Sequence, residues 1–211
     1  MILFRALSAL LSYPSREMRQ ALPEIADAIQ AAALLTSRER RGILDLIDEL
    51  GRGDLLEAEE CYVDLFDRGR ALSLHLFEHL HGDSRDRGEA MVELKRIYEQ
   101  AGFELSAREL PDYLPVLLEY LSCRDLAEAR AMLADCAHIL TTIGRSLIAR
   151  GSRYAAVLQA LIVIAGESPI DAAKVQPVKE KPESLDRDWA EEPAFSGAPM
   201  PGAPSARTPA V

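Results

Sequence analysis

The chain has 211 residues, of which 48% are apolar, and its 34 acidic and 24 basic residues give a formal charge of -10. This length allows one domain with a sizeable core and an appendage. The acidic balance argues against a general nucleic-acid binder, which needs surplus Lys and Arg, and favours a basic partner. The 3 cysteines are widely spaced, so they indicate neither a disulfide framework nor a zinc knuckle, and we expect them to be buried.

Apolar residues recur with a helical period along most of the first half. The N-terminal stripe predicts a core helix that Tyr13 and Pro14 end, rather than a signal peptide. A second helix, interrupted by Pro23, is expected to run to about residue 35. Ser37 is the predicted N-cap of a third helix.

The next two elements lead to the histidines. Asp54 and Glu57 resemble a capping box that opens a fourth helix, which Gly69 closes. A short fifth helix is predicted over residues 72–80, and Gly82 separates it from a sixth. Three of the 4 histidines fall in or next to this fifth helix.

The second half has longer apolar patterns. They predict helices over residues 112–122, 125–150 and 154–165, the middle one uninterrupted. No alternating strand pattern competes, so the predicted fold class is all-α, a single-domain helical bundle.

The composition changes after Gly166. We expect a helical domain over residues 1–166 and an acidic, Pro-rich and mostly disordered tail over residues 167–211. Trp189 lies in a segment, residues 185–195, that either packs back on the domain or docks on a partner.

Residues 62–87, which we call the histidine-rich block, have two interpretations. On one helix, His75 and His79 would share a face and, with Glu78 or Asp83, bind a metal in a metal-dependent helical enzyme. The block, however, lacks the Glu-x-x-His and His-Glu-x-x-His spacings of helical metal sites. We therefore expect no catalytic, cofactor-binding or metal-binding residues.

The same block is rich in charges of both signs. Its carboxylates are suited to accept hydrogen bonds from arginines: Asp64, Asp67, Glu78, Asp83 and Asp86. Its arginines are suited to orient those carboxylates or to meet backbone carbonyls: Arg68, Arg70, Arg85 and Arg87. The mixture favours a docking surface, the alternative for each residue being an ordinary solvated charge.

Two long segments resemble the signature blocks of a known family. They are YVDLFDRGRALSLHLFEHLHGDSRDRGEAM at residues 62–91 and ELPDYLPVLLEYLS at residues 109–122. Both are similar to the nitrate reductase delta subunit family, the molybdenum cofactor assembly chaperones. The similarity extends from Leu11 to Trp189.

This resemblance implies a cytoplasmic, all-helical chaperone that is not an enzyme and carries no cofactor. Its expected partner is the N-terminal peptide of the apo catalytic (alpha) subunit of respiratory nitrate reductase. The chaperone would keep that subunit competent for insertion of the molybdenum cofactor and an iron–sulfur cluster before membrane docking. Transient contact with cofactor-delivery proteins is expected. Nucleic-acid binding and membrane insertion are not expected.

The resemblance also implies a peptide-binding surface. By position in the two blocks it comprises Glu109, Leu110, Pro111, Asp112, Tyr113, Pro115 and Glu119, with Asp67, Arg68, His75, Glu78 and His79 as a neighbouring wall. Leu110 and Tyr113 would supply apolar contact, and Asp112 and Glu119 would face basic residues. Alternatively, the prolines only shape the start of a helix and Tyr113 belongs to the core.

Overall fold

The computed structural model describes residues 1–81, 85–106 and 109–178, and these ranges contain helices and turns but no strand, which confirms the all-α prediction. The helices are α1 (Ile2–Leu11), α2 (Arg16–Ala31), α3 (Ser37–Arg52), α4 (Leu55–Phe66), α5 (Leu76–His81), α6 (Arg85–Gln100), α7 (Leu114–Ser122), α8 (Leu126–Asp135), α9 (Ala137–Ala149) and α10 (Ala155–Ile164). Short 3₁₀ turns occur at Arg70–Leu72 and Ala172–Lys174.

Two helices form the centre of the bundle. α1 packs against α7 and α2, and α10 packs against α9 and α3. Leu7 and Leu10 of α1 and Leu158 and Leu161 of α10 are fully buried. A helix that is apolar nearly all round needs other helices to cover it, which explains these central positions. None of the described helices is long and apolar enough to cross a membrane.

Helices α2 and α3 cap each other with arginines. The Arg40 guanidinium on α3 donates to the carbonyl oxygens of Ala32 and Leu35, at 2.9 and 3.2 Å, just beyond the end of α2. Arg19 on α2 donates in turn to the Gly53 carbonyl at the end of α3, at 2.8 Å. Carbonyls near a helix end lack helical partners, so each arginine satisfies acceptors at the end of the other helix.

Two helices differ from the prediction in where they are interrupted. Helix α2 continues through Pro23 and ends at Ala31, because Pro23 lies on the exposed side, where water can reach the carbonyl that loses its partner. The uninterrupted helix predicted for the region of α8 and α9 was wrong, since Cys136 breaks it. The Cys136 thiol lies 3.4 Å from the carbonyl oxygens of both Met132 and Leu133.

The chain remains packed on the bundle beyond α10. Ile170 is buried, and the Gln159 side chain bonds both its backbone N–H and its carbonyl oxygen, at 2.9 and 3.0 Å. The Ile170 side chain fits where α9 has Gly144, because a Cβ there would lie 2.7 Å from the Ile170 methyl. Met1–Pro177 therefore form one compact unit.

Residues 179–211 lie outside the described residues, and so do Trp189 and the candidate docking segment at 185–195. The predicted division of the chain at residue 166 stays a prediction.

The cysteines differ from expectation. Cys61, on α4, and Cys123, which follows the end of α7, are exposed, and Cys136 is only partly buried. All three are free thiols. Burial raises the pKa of Cys136 to about 12.

The N-cap of α3 is Thr36, and the prediction of Ser37 was wrong by one residue. Thr36 and Glu39 form a capping box, in which the Glu39 carboxylate accepts from the Thr36 backbone N–H at 2.9 Å. Ser37 is already the first helical residue.

We expect Thr36→Ala to lower the free energy of unfolding by about 1 kcal/mol, because it removes the side-chain half of the box. Ser37→Ala is the matched control and should change it by less than about 0.5 kcal/mol. Urea titrations followed by circular dichroism measure both. A larger loss for Ser37→Ala would contradict the assignment.

Candidate functional site

The two signature blocks cross each other in space. His75 and Tyr113 form an isolated antiparallel bridge. The Leu76 N–H donates to the Asp112 carbonyl at 3.0 Å, and the Leu114 N–H donates to the Leu74 carbonyl at 2.9 Å. We call this pairing of residues 73–77 with residues 110–114 the crossing. It joins segments that are far apart in sequence into one surface element.

The carboxylate of Asp112 holds the crossing together. Asp112 is fully buried, and its oxygens accept from His75 Nδ1 and from the Phe77 backbone N–H, both at 3.2 Å. The Arg87 guanidinium lies 3.8 Å from the same carboxylate and 3.2 Å from that of Glu78. A buried carboxylate needs such partners, because an unpaired buried charge is costly.

Asp112 therefore does not face solvent, contrary to the expectation that its carboxylate would meet basic residues of a ligand. Both of its oxygens already accept hydrogen bonds within the protein. The structure makes it a positioning residue for the crossing.

The histidines are not arranged as predicted. His75 precedes α5 instead of sharing a helix with His79, because its backbone is paired with the Tyr113 segment. His79 is on α5, and its Nε2 donates to the Ser73 carbonyl at 2.9 Å. Each ring thus has a protein partner. Within the described ranges no three His, Cys, Asp or Glu side chains are placed to hold a metal ion. Asp83 lies outside those ranges.

Tyr113 connects the crossing to the core. Its ring stacks on the His75 ring, with centroids 5.1 Å apart. Its hydroxyl lies 2.8 Å from that of Tyr62, which donates its own proton to the Leu11 carbonyl at 2.8 Å, so Tyr113 is the donor to Tyr62. Burial raises the pKa of Tyr113, and the carboxylates of Asp67 and Glu109 add to this rise.

The two prolines of the second block are buried and structural. The Pro111 carbonyl accepts from the Tyr98 hydroxyl at 3.0 Å, which ties the loop to α6. The Pro115 carbonyl accepts from the Ser8 hydroxyl at 2.8 Å, which ties α7 to α1. Pro115 also lies in the first turn of α7, where a missing N–H costs nothing.

The other residues of the second block that were predicted to contact the peptide are exposed, apart from the partly buried Tyr113. Leu110 is 45% exposed, although it is a large apolar residue. Glu109 and Glu119 are exposed on either side of it in sequence. Partial desolvation and then the Glu109 carboxylate raise the pKa of Glu119, while Arg5 opposes that rise. The Glu109 carboxylate and the Arg5 guanidinium therefore both act electrostatically on Glu119, with opposite signs.

Asp67 and Arg68 follow the end of α4, and both are exposed. Asp67 is near enough to Tyr113 to affect its pKa. Arg68 forms a 2.9 Å ion pair with Asp64, as the charge pattern predicted for the arginines of this block. The wall residues Glu78 and His79 lie on α5, beside the crossing.

Two contributors were missing from the predicted site. Tyr62 was not among the predicted contact residues, although its hydroxyl links α1 to Tyr113. Tyr13 was treated only as the end of α1, but it is 48% exposed and packs edge-on against Tyr62, with centroids 5.7 Å apart. A tyrosine next to Pro14 at the end of an apolar helix was the available signal.

The fold and the crossing define a helical protein with a surface built from two sequence-distant blocks. The family model of the nitrate reductase delta subunit matches residues 13–159, so the chain belongs to that family. This confirms the resemblance seen in the sequence. The matched region contains both segments of the crossing.

Curated relatives agree with the family assignment. The nitrate reductase molybdenum cofactor assembly chaperone NarJ of Escherichia coli K12 is 42% identical over 88% of this chain and 80% of its own length. The probable chaperone NarW of the same strain is 39% identical over 76% of this chain and 72% of its own length. The probable chaperone NarJ of Bacillus subtilis is 33% identical over 76% of this chain and 86% of its own length.

We expect Asp112→Asn to lower the free energy of unfolding by about 2–3 kcal/mol. The NH₂ group of the asparagine would face either His75 Nδ1 or the Phe77 backbone N–H, and that donor would lose its acceptor. Asp48→Asn, in an exposed ion pair with Arg52, is the control and should cost less than about 1 kcal/mol. Urea unfolding of both variants measures the difference. Equal losses would show that the Asp112 contacts do not hold the crossing.

Proposed function

We propose that the protein is a system-specific chaperone for the assembly of respiratory nitrate reductase. It binds the N-terminal segment of the apo catalytic subunit in the cytoplasm. It keeps that subunit competent for insertion of the molybdenum cofactor and an iron–sulfur cluster before membrane docking, with transient contact to cofactor-delivery proteins. Membership of the delta subunit family and the names of the relatives support this proposal.

The observation that carries the peptide site is the exposed apolar and acidic surface at the crossing. Leu110 and the partly exposed Tyr113 provide an apolar strip. Glu109 and Glu119 border it with negative charge. An amphipathic helix with basic residues beside its apolar face is complementary to such a surface.

The buried residues of the site have a different role in this proposal. Asp112, Pro111 and Pro115 fix the backbone that presents Leu110 and Tyr113, and they do not touch the peptide. A surface held in its binding geometry loses less conformational entropy when a ligand binds. The chain is thus proposed to act as a preformed platform, with no chemical step of its own.

The remaining wall residues extend the same platform. Asp67 adds negative charge close to Tyr113, and His75 supports the Tyr113 ring from one side. Glu78 and His79 hold the start of α5 against Arg87 and Ser73. We propose that His75 and Asp67 contact the peptide, and that Glu78 and His79 keep the wall in place.

Isothermal titration with a synthetic peptide of the catalytic subunit's N-terminal segment tests the proposal. The wild-type protein should bind it with a one-to-one stoichiometry. Leu110→Ala should weaken binding by about tenfold, because partial loss of a leucine contact costs roughly 1.4 kcal/mol.

Val92→Ala is the matched control for this titration, because Val92 is 70% exposed on α6 and lies outside the proposed surface. Its affinity should equal that of the wild type. Neither side chain is buried, so both variants should unfold at wild-type urea concentrations. Absence of wild-type binding, or equal effects of the two variants, would refute the peptide site.

A further inference from the structure

The hydrogen bond between Asp112 and His75 determines which ring nitrogen of His75 carries a proton. His75 Nδ1 lies 3.2 Å from Asp112 Oδ1, and that carboxylate is fully buried. An ionised carboxylate can only accept hydrogen bonds, so the proton between the two groups belongs to Nδ1. A neutral imidazole has one such proton, and its other nitrogen, Nε2, is then an acceptor. Asp112 therefore sets the tautomer of His75.

The accepting nitrogen of His75 is on the outer side of the crossing. The two nitrogens of an imidazole point in different directions, and Nδ1 points at a carboxylate that solvent does not reach. The Tyr113 ring covers one face of the imidazole, with centroids 5.1 Å apart. The 32% of the His75 side chain that stays accessible is thus on the side of Nε2. This places a hydrogen-bond acceptor beside the Tyr113 ring, within the surface proposed to bind the peptide.

The charges around this acceptor are mostly negative. The Arg87 guanidinium lies between two carboxylates, 3.2 Å from that of Glu78 and 3.8 Å from that of Asp112. Burial raises the pKa of the neighbouring Tyr113, and the carboxylate of Asp67 raises it further. One guanidinium thus stands against three carboxylates. Both the acceptor and this charge balance favour an N–H or O–H donor on a ligand and disfavour a carboxylate.

We infer that His75 accepts, through Nε2, a hydrogen bond from a donor side chain of the client peptide where that peptide crosses the Tyr113 ring. Asp112 is the positioning residue that keeps Nε2 in its accepting form. This inference rests on the proposed function, because it concerns the chemistry of the same surface. It adds a requirement on the client: next to the apolar residue that packs on Tyr113, the peptide carries a cationic, hydroxyl or amide side chain. A carboxylate at that place prevents binding.

Nitrogen NMR of the imidazole rings tests the tautomer in the wild-type protein at about pH 8, where an unperturbed histidine is neutral. We expect two-bond proton–nitrogen spectra to show His75 protonated at Nδ1 and unprotonated at Nε2. Peptide binding should shift the Nε2 resonance more than that of Nδ1, because only Nε2 gains a hydrogen bond. A proton on Nε2 in the free protein, or an Nε2 resonance that binding leaves unchanged, would overturn the inference.

His75→Asn tests the contact by isothermal titration with the N-terminal peptide. The asparagine amide can still donate to Asp112 from the position of Nδ1, but it places no acceptor where Nε2 was. Binding should weaken by about fivefold, the usual contribution of one hydrogen bond. His138→Asn is the matched control, because His138 is exposed on α9 and outside the crossing. Its affinity should equal that of the wild type.

Two sets of peptide variants separate the hydrogen bond from the loss of the imidazole ring and identify the donor. One set replaces each lysine or arginine by methionine, and the other replaces each serine, threonine, asparagine or glutamine by alanine. One replacement should weaken binding to the wild type by about fivefold and leave binding to His75→Asn unchanged, since the contact it removes is already missing there. Equal losses in both proteins for every replacement would contradict the inference.

These outcomes distinguish the inference from the proposed function. Wild-type affinity of His75→Asn refutes the role of Nε2 and leaves the peptide site standing. Failure of the wild type to bind the original peptide refutes both. The NMR measurement needs no variant, so it decides the role of Nε2 even where a substitution of His75 impairs folding.

Discussion

A single buried carboxylate determines how this protein's two signature segments meet. Asp112 is inaccessible to water, and it accepts hydrogen bonds from a histidine ring and a backbone amide on the opposite segment. The Arg87 guanidinium on α6 lies 3.8 Å from the same carboxylate and adds a positive charge. Because a buried carboxylate without such partners costs free energy, these contacts stabilise the pairing of residues 73–77 with residues 110–114. The position of Tyr113 follows from that pairing.

The proposed function uses this pairing as a fixed support. Tyr113 bonds Tyr62, which bonds the end of α1, so the exposed surface is connected to the most buried helices of the bundle. The residues left exposed, Leu110 and Glu119 among them, combine apolar contact with negative charge. In the proposal, the apolar residues of this surface supply affinity and its carboxylates supply selectivity for a basic partner.

The sequence predicted what depends on local pattern. Helical periodicity gave the all-α class, and Asp54 was correctly placed as the N-cap of α4, where its side chain accepts from the Leu56 N–H. It could not predict what depends on distant contacts. A helix over residues 72–80 was the best local choice. Pairing with a segment about 37 residues away keeps residues 73–75 out of that helix, which begins only at Leu76. Asp112 looked like a surface acid for the same reason, since its buried partners come from other parts of the chain.

Hydrogen exchange of the backbone amides with and without the client's N-terminal peptide tests the central claim most directly. Peptide binding should slow exchange in residues 109–119, and should stabilise the Leu76 and Leu114 amides of the crossing. Helices α8 and α9 should exchange as in the free protein. Protection confined to those helices, with the crossing unaffected, would contradict the account.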